Sequence, residues 1–125
     1  MKTVKTNELQ GAALDWAVAK CEGLEVYFED GLVCLVGQPF DTYWKYWNPT
    51  TDWAQGGPII EREWLDVTPW PNESREDMRW HCQQHDTAND FAQYGPTLLI
   101  AAMRCYVAYI LGDEVEVPEE LLCQS

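Results

Sequence analysis

Residues 97–112 read TLLIAAMRCYVAYILG, and this run decides the fold. Thr97 has the side chain of a helix N-cap, and Gly112 is a helix stop. Between them Leu98–Leu111 is apolar nearly all round, with Arg104 its only charge. A helix without a polar face is buried on most sides. At 1.5 Å per residue it is about 21 Å long, too short to cross a bilayer. It is therefore expected as the central core element of a water-exposed domain, with the rest of the chain packed around it.

Downstream, VEVPEELL (115–122) reads as a short extended piece, a proline stop and a final turn. At the other end, NELQGAALDWAVAKCEG (7–23) reads as a helix. Asn7 followed by Gln10 has the spacing of a capping box, and Gly23 ends it. Leu9, Ala12, Ala13, Trp16 and Ala17 share one face at helical spacing. LEVYF (24–28) and LVCLV (32–36) flank Glu29-Asp30-Gly31 and predict a hairpin. IIEREWLDV (59–67) alternates as a strand, with Ile60, Arg62 and Trp64 on one side, and MRWHCQQ (78–84) as a further strand. TPWPNESRED (68–77) is polar and proline-bearing, an exposed loop. These elements predict one α+β domain over 1–125: a small, mostly antiparallel sheet packed on a buried C-terminal helix, with the N-terminal helix alongside. Residues 1–5 are expected as a loose leader and 71–94 as a variable polar region.

The chain has 21 acidic and 8 basic side chains, a formal charge of −13. That charge opposes binding to a nucleic-acid polymer, which needs positive patches to release counterions. It serves solubility, and its sharper reading is mimicry of nucleic acid by a carboxylate surface. No run of about 18 apolar residues is present, so no membrane span is expected. The start, MKTVKTNE, lacks the apolar core of a signal peptide, which points to a soluble cytoplasmic protein. The five cysteines include no CxxC pair, a usage suited to a reducing compartment. Seven tryptophans beside six tyrosines exceed what one small core holds comfortably. Some are expected to line a groove, a pocket or an interface, including a homodimer or higher oligomer.

Candidate chemistry is sparse. Arg104 needs a partner in a buried helix: either a structural ion pair with Asp52, Asp66 or Glu61, or a ligand phosphate or carboxylate. Thr97 opens a helix whose free N–H groups form an anion site, or simply caps it. His81, Cys82 and His85 have the residue types of a zinc site but not the count, so no metal and no cofactor is expected. Glu61 and Glu63 share a face if 59–64 is a strand. The chain carries no nucleophile elbow, no GxxxxGK[ST] loop and no HExxH, so no catalytic residue is assigned. The aromatic, turn-rich stretch from Gly37 to Pro58 holds more. Trp44, Trp47 and Trp53 offer stacking faces worth about 1–3 kcal/mol per base. Gly56, Gly57 and Pro58 shape a close backbone approach, and Asp52 and Gln55 are hydrogen-bonding groups for ribose or a ring edge. An aromatic lid over the core with a glycine turn is the competing reading.

Three blocks carry a resemblance: ELQGAALDWAVAKCEG (8–23), TTDWAQGGPIIERE (50–63) and GPTLLIAAMRCYVAYILGDEVEVPEEL (95–121). Together, and in this order, they resemble the NinX-like family of small phage and prophage proteins, a domain of unknown function. Leu98 stands where many members have a proline. The resemblance implies a phage accessory protein acting in a bacterial host, with no established enzyme activity. By analogy with small phage proteins that sequester nucleotide immune signals such as cyclic ADP-ribose isomers, the expected function is binding of a small nucleotide-derived ligand without turnover. The expected ligand-binding residues are Trp44, Thr51, Asp52, Trp53, Gln55, Gly56, Gly57, Pro58, Ile59, Thr97 and Arg104. The alternatives are an acidic inhibitor of a host protein and a small nucleotide hydrolase.

Overall fold

A computed structural model describes residues 1–37, 45–70, 76–84 and 92–122. It carries β1 (Lys2–Lys5), α1 (Gly11–Glu22), β2 (Val26–Glu29), β3 (Leu32–Leu35), α2 (Trp53–Glu63), β4 (Leu65–Pro69), β5 (Trp80–Gln84), β6 (Gln93–Gly95), α3 (Leu98–Leu111) and β7 (Glu114–Val117), with short 3-10 turns at Thr6–Glu8, Glu76–Met78 and Glu119–Leu121. The fold is α+β. Its strands divide among three small antiparallel sheets, β1–β7, β2–β3 and β4–β5–β6.

α3 is the central helix. It runs from the Thr97 cap, whose hydroxyl accepts from Ile100 N–H at 3.1 Å, to Gly112. Its middle, Ala101 to Ala108, is buried throughout. It lies against β4–β5–β6 on one side and against α1 and α2 on others. The apolar periodicity demands this, because a helix with no polar face needs cover all round. β6 approaches it closely: a Cβ on Gly95 would sit 2.6 Å from Ala101 N. α1 buries Ala12–Ala19 against it and ends at Gly23, whose φ of 72° suits a glycine cap. The expected Asn7–Gln10 capping box does not form. Residues 6–8 are a 3-10 turn and α1 starts at Gly11, with Gln10 as an N-cap lacking a side-chain bond.

The hairpin β2–β3 turns on Asp30 and Gly31, both at positive φ, as a two-residue hairpin requires. The expected loose leader is a strand. β1 pairs with β7, and Thr6 closes the joint by donating its hydroxyl to Gly112 O at 2.7 Å and its N–H to Asp113 O. The largest departure is the expected strand at 59–67. Residues 53–63 are helix α2, and only Leu65–Pro69 is a strand. Asp52 starts this helix, its carboxylate accepting from Ala54 N–H at 2.9 Å. Trp64, at φ 54°, ends it and turns the chain directly into β4. Glu61 and Glu63 therefore do not share a strand face.

Candidate functional site

The loop 45–52 crosses the N-terminal half of α1 and is fixed at every step. Trp47 N–H bonds Val33 O at 2.9 Å, and Tyr46 makes a bridge to Cys34 of β3. Gln55 reaches back from α2, its Oε1 accepting from Asn48 N–H at 2.6 Å and its Nε2 donating to Tyr46 O at 2.8 Å. Thr50 N–H donates to Asp15 Oδ1 at 3.1 Å. Between this loop, the start of α1 and β3 lies a cleft of about 380 Å3. Its wall includes Asp15, Tyr46, Trp47, Thr50, Thr51 and Asp52. A volume of this size lies in the range of small-molecule sites.

Two groups in the wall are buried with their chemistry incompletely answered by the protein. Asp15 is 6% exposed in the otherwise apolar buried face of α1. Burial pushes its carboxyl up to about 7, and the opposing bonds from Thr50 recover only part of the shift. Trp47 is 9% exposed, and its indole N–H is buried with no hydrogen-bond partner among the described residues. An unmatched buried donor costs about 1–3 kcal/mol, so an acceptor that reaches it through a small shift of the cleft wall has a ready gain. Asp52 adds a second carboxylate at the rim, already engaged as the α2 cap.

Of the residues expected to bind, the structure brings Thr51 and Asp52 into this wall. Gln55 holds the wall's backbone. Gly56 is buried, where a Cβ would meet Pro49 O at 2.6 Å and Leu99 Cδ2 at 2.8 Å, so it serves the contact of α2 with its neighbours. Gly57 faces the Trp53 ring, Pro58 lies exposed within α2, and Ile59 is in the core. Trp53 is 56% exposed and does not line the cleft. Trp44 and His85 lie outside the described residues. Arg104 and Thr97 are away from the cleft wall: Thr97 caps α3, and Arg104 donates to Leu9 O and Tyr94 O, both at 2.8 Å, with none of the expected carboxylates paired to it. His81 and Cys82 point to opposite faces of β5. His81 joins Trp70 and Tyr94 in a cluster of three mutually touching rings, while Cys82 is in the core, so neighbouring position does not make them joint ligands. No group of metal-ligating side chains occurs among the described residues. Nor is any helix there long and apolar enough to cross a membrane. Sequence reading passed over Asp15 and took Trp47 only as a stacking face. A carboxylate inside AALDWAVA was the available signal.

A family model described as "Bacteriophage P22, NinX" matches residues 5–109, from the end of β1 through most of α3. The chain belongs to this family. As a NinX-family protein it is a phage accessory protein, and the cleft lies wholly inside the matched span. No curated protein matches the chain.

Proposed function

We propose that this NinX-family protein binds a small nucleotide-derived ligand in the Asp15–Trp47 cleft and holds it without turnover, acting as a sponge for a host signal such as a cyclic ADP-ribose isomer. The observation that carries the reading is the Trp47 N–H, buried without an acceptor among the described residues, in a residue that lines the same cleft as Asp15. A nucleobase supplies both complements, a ring or carbonyl acceptor for the indole and an amino donor for the carboxyl. Ribose hydroxyls donate equally well to Asp52 and Thr51. Two carboxyl groups disfavour phosphate, so base and ribose enter and the phosphates stay at the rim. The loop is already pinned by Gln55 and Asp15, so little ordering cost falls on binding.

Isothermal titration against nucleosides, nucleotides and cyclic dinucleotides tests this. One-to-one uptake by the native protein, weakened about tenfold by Trp47→Phe, supports it. Silence across the panel removes it. A second reading rests on Asp15 itself: a cleft carboxyl raised to about 7 has the proton affinity of a general acid or base. Mass spectrometry of ligand recovered after incubation separates the two, since intact ligand favours the sponge and cleaved ligand the hydrolase.

A further inference from the structure

Leu24, Trp64, Tyr109, Ile110 and Leu111 are large apolar side chains left exposed. The fold gathers them at one end of the molecule. Arg62, next to last in α2, bonds Glu22, the last residue of α1, and Tyr106 Oη of α3. Leu24 lies two residues beyond Glu22, and Trp64 two beyond Arg62. Tyr109 and Ile110 are one turn past Tyr106 on the same side of α3. Trp64 is the informative one. It sits at φ 54°, a backbone conformation that is strained for a bulky residue and that glycine usually takes at a helix end. It is 68% exposed, so burial within the chain does little to offset that strain. The charge nearby is mainly negative. Glu25, Glu61 and Asp66 are exposed, lie within three residues of Leu24 or Trp64, and enter no ion pair among the described residues. Asp113 and Glu114 follow α3 directly, with Lys5 opposite Glu114 in the β1–β7 ladder. Arg62 is held by Glu22 and Glu63, and Lys20 lies over the Trp16 ring. The last carbonyls of the three helices add partial negative charge at the same end.

We propose that this end of the molecule docks a basic amphipathic helix of a partner protein, its apolar face on Trp64, Tyr109 and Ile110 and its lysines or arginines toward Glu25, Glu61 and Asp66. A second copy of this chain sets one charge of −13 against another. An anionic lipid surface or a nucleic acid is repelled in the same way. This inference stands on different residues from the Asp15–Trp47 cleft and does not depend on the nucleotide reading.

The test uses three synthetic peptides of about 18 residues, long enough to form a helix. The first carries a leucine stripe at helical spacing and lysines on the other face. The second has glutamates in place of the lysines, and the third has serines in place of the leucines. Each is titrated into the 15N-labelled chain while the Trp64 indole signal, assigned by its loss in Trp64→Gly, is followed. The first peptide is expected to shift that signal to saturation, with the other two about tenfold weaker or worse. Trp64→Gly relieves the left-handed strain, and is expected to keep its fold by circular dichroism while binding the first peptide about tenfold less tightly. Trp64→Asn, which also tolerates this conformation, repeats the measurement with a side chain present. Trp53→Ser, at the opposite end of α2, is expected to bind as the native chain does, which separates docking from general attraction to an acidic protein. A Trp64 signal unmoved by the first peptide at about 1 mM would overturn the proposal. So would equal binding of either control peptide, unchanged binding by Trp64→Gly and Trp64→Asn, or a native dimer in sedimentation that Trp64→Gly dissolves, since a second copy would then be the occupant.

Discussion

Trp47 lines the cleft, and its indole N–H is buried with no acceptor among the described residues, while its ring is almost fully covered. Replacing it by Phe removes the donor and little of the ring. The unmatched group and the lost volume work in opposite directions, so Trp47→Phe is expected to melt within about 2 °C of the native protein while losing ligand. Calorimetry on both proteins checks the pair of outcomes. Asp15 makes a different prediction. Its carboxyl ionises at 3.8 in an open chain and at about 7 when folded. The folded state therefore holds the proton more tightly, and stability falls as pH rises from about 4 to about 7. Asn keeps the acceptor for Thr50 N–H and cannot ionise. Asp15→Asn is expected to be more stable than the native protein by about 2–4 kcal/mol at pH 8 and nearly equal to it at pH 4, measured by urea unfolding across that range. A native protein with flat stability over this window contradicts the buried placement of Asp15.

α2 shows how packing overrides local preference. Gly56, Gly57 and Pro58 together disfavour a helix, with Gly costing about 1 kcal/mol and Pro about 3 relative to Ala. The segment is helical because Asp52 caps it and because Gly56, Ile59, Ile60 and Glu63 fall on one face, with Gly56 and Ile59 buried. That spacing was present in the sequence, but the GGP punctuation and the alternation of Ile60, Arg62 and Trp64 spoke for a turn and a strand. The two glycines separate the causes. Gly56→Ala gains helix propensity but places its Cβ 2.6 Å from Pro49 O, and is expected to destabilise by about 1–3 kcal/mol. At Gly57 a Cβ meets only Trp53 Cε3 at 3.7 Å, so Gly57→Ala is expected to stabilise by about 0.5–1 kcal/mol. Chemical denaturation of both variants reads the opposite signs. The three helices are also joined by one polar cluster. Arg62 donates to both Glu22 oxygens at 3.1 and 2.6 Å and to Tyr106 Oη at 3.1 Å, and Tyr106 donates to Glu22 at 2.5 Å. Burial raises the Glu22 carboxyl, but the Arg62 and Tyr106 bonds outweigh it and hold it below its usual 4.5. Its contribution is present above that value and fades as pH falls through the lowered one. Glu22→Gln is expected to cost about 1 kcal/mol at pH 7, Arg62 being half-exposed, and progressively less as pH falls through the lowered value. Thermal melts over a descending pH series decide it.

Across the whole molecule, the legible part is what periodicity and end signals determine. α3 runs between Thr97 and Gly112 as its composition requires, the β2–β3 hairpin turns on Asp30-Gly31, and MRWHCQQ contains β5. Long-range pairing was not legible. Nothing in Lys2–Lys5 announces β7 as a partner, because a four-residue strand takes its order from the far end of the chain. The candidate site was half legible for the same reason. Thr51 and Asp52 were named from their own segment, whereas Asp15 joins them only through the fold. The charge of −13 is a property of the entire surface and predicts no measurable binding to duplex DNA or RNA at physiological salt, read by fluorescence anisotropy. The most direct measurement is the 1H–15N signal of the Trp47 indole, assigned by its loss in Trp47→Phe, during titration with nucleosides, nucleotides and cyclic nucleotide signals. A progressive downfield shift of that signal, saturating at one ligand per chain, is the predicted result. A Trp47 signal that stays in place while every member of the panel is added contradicts the account.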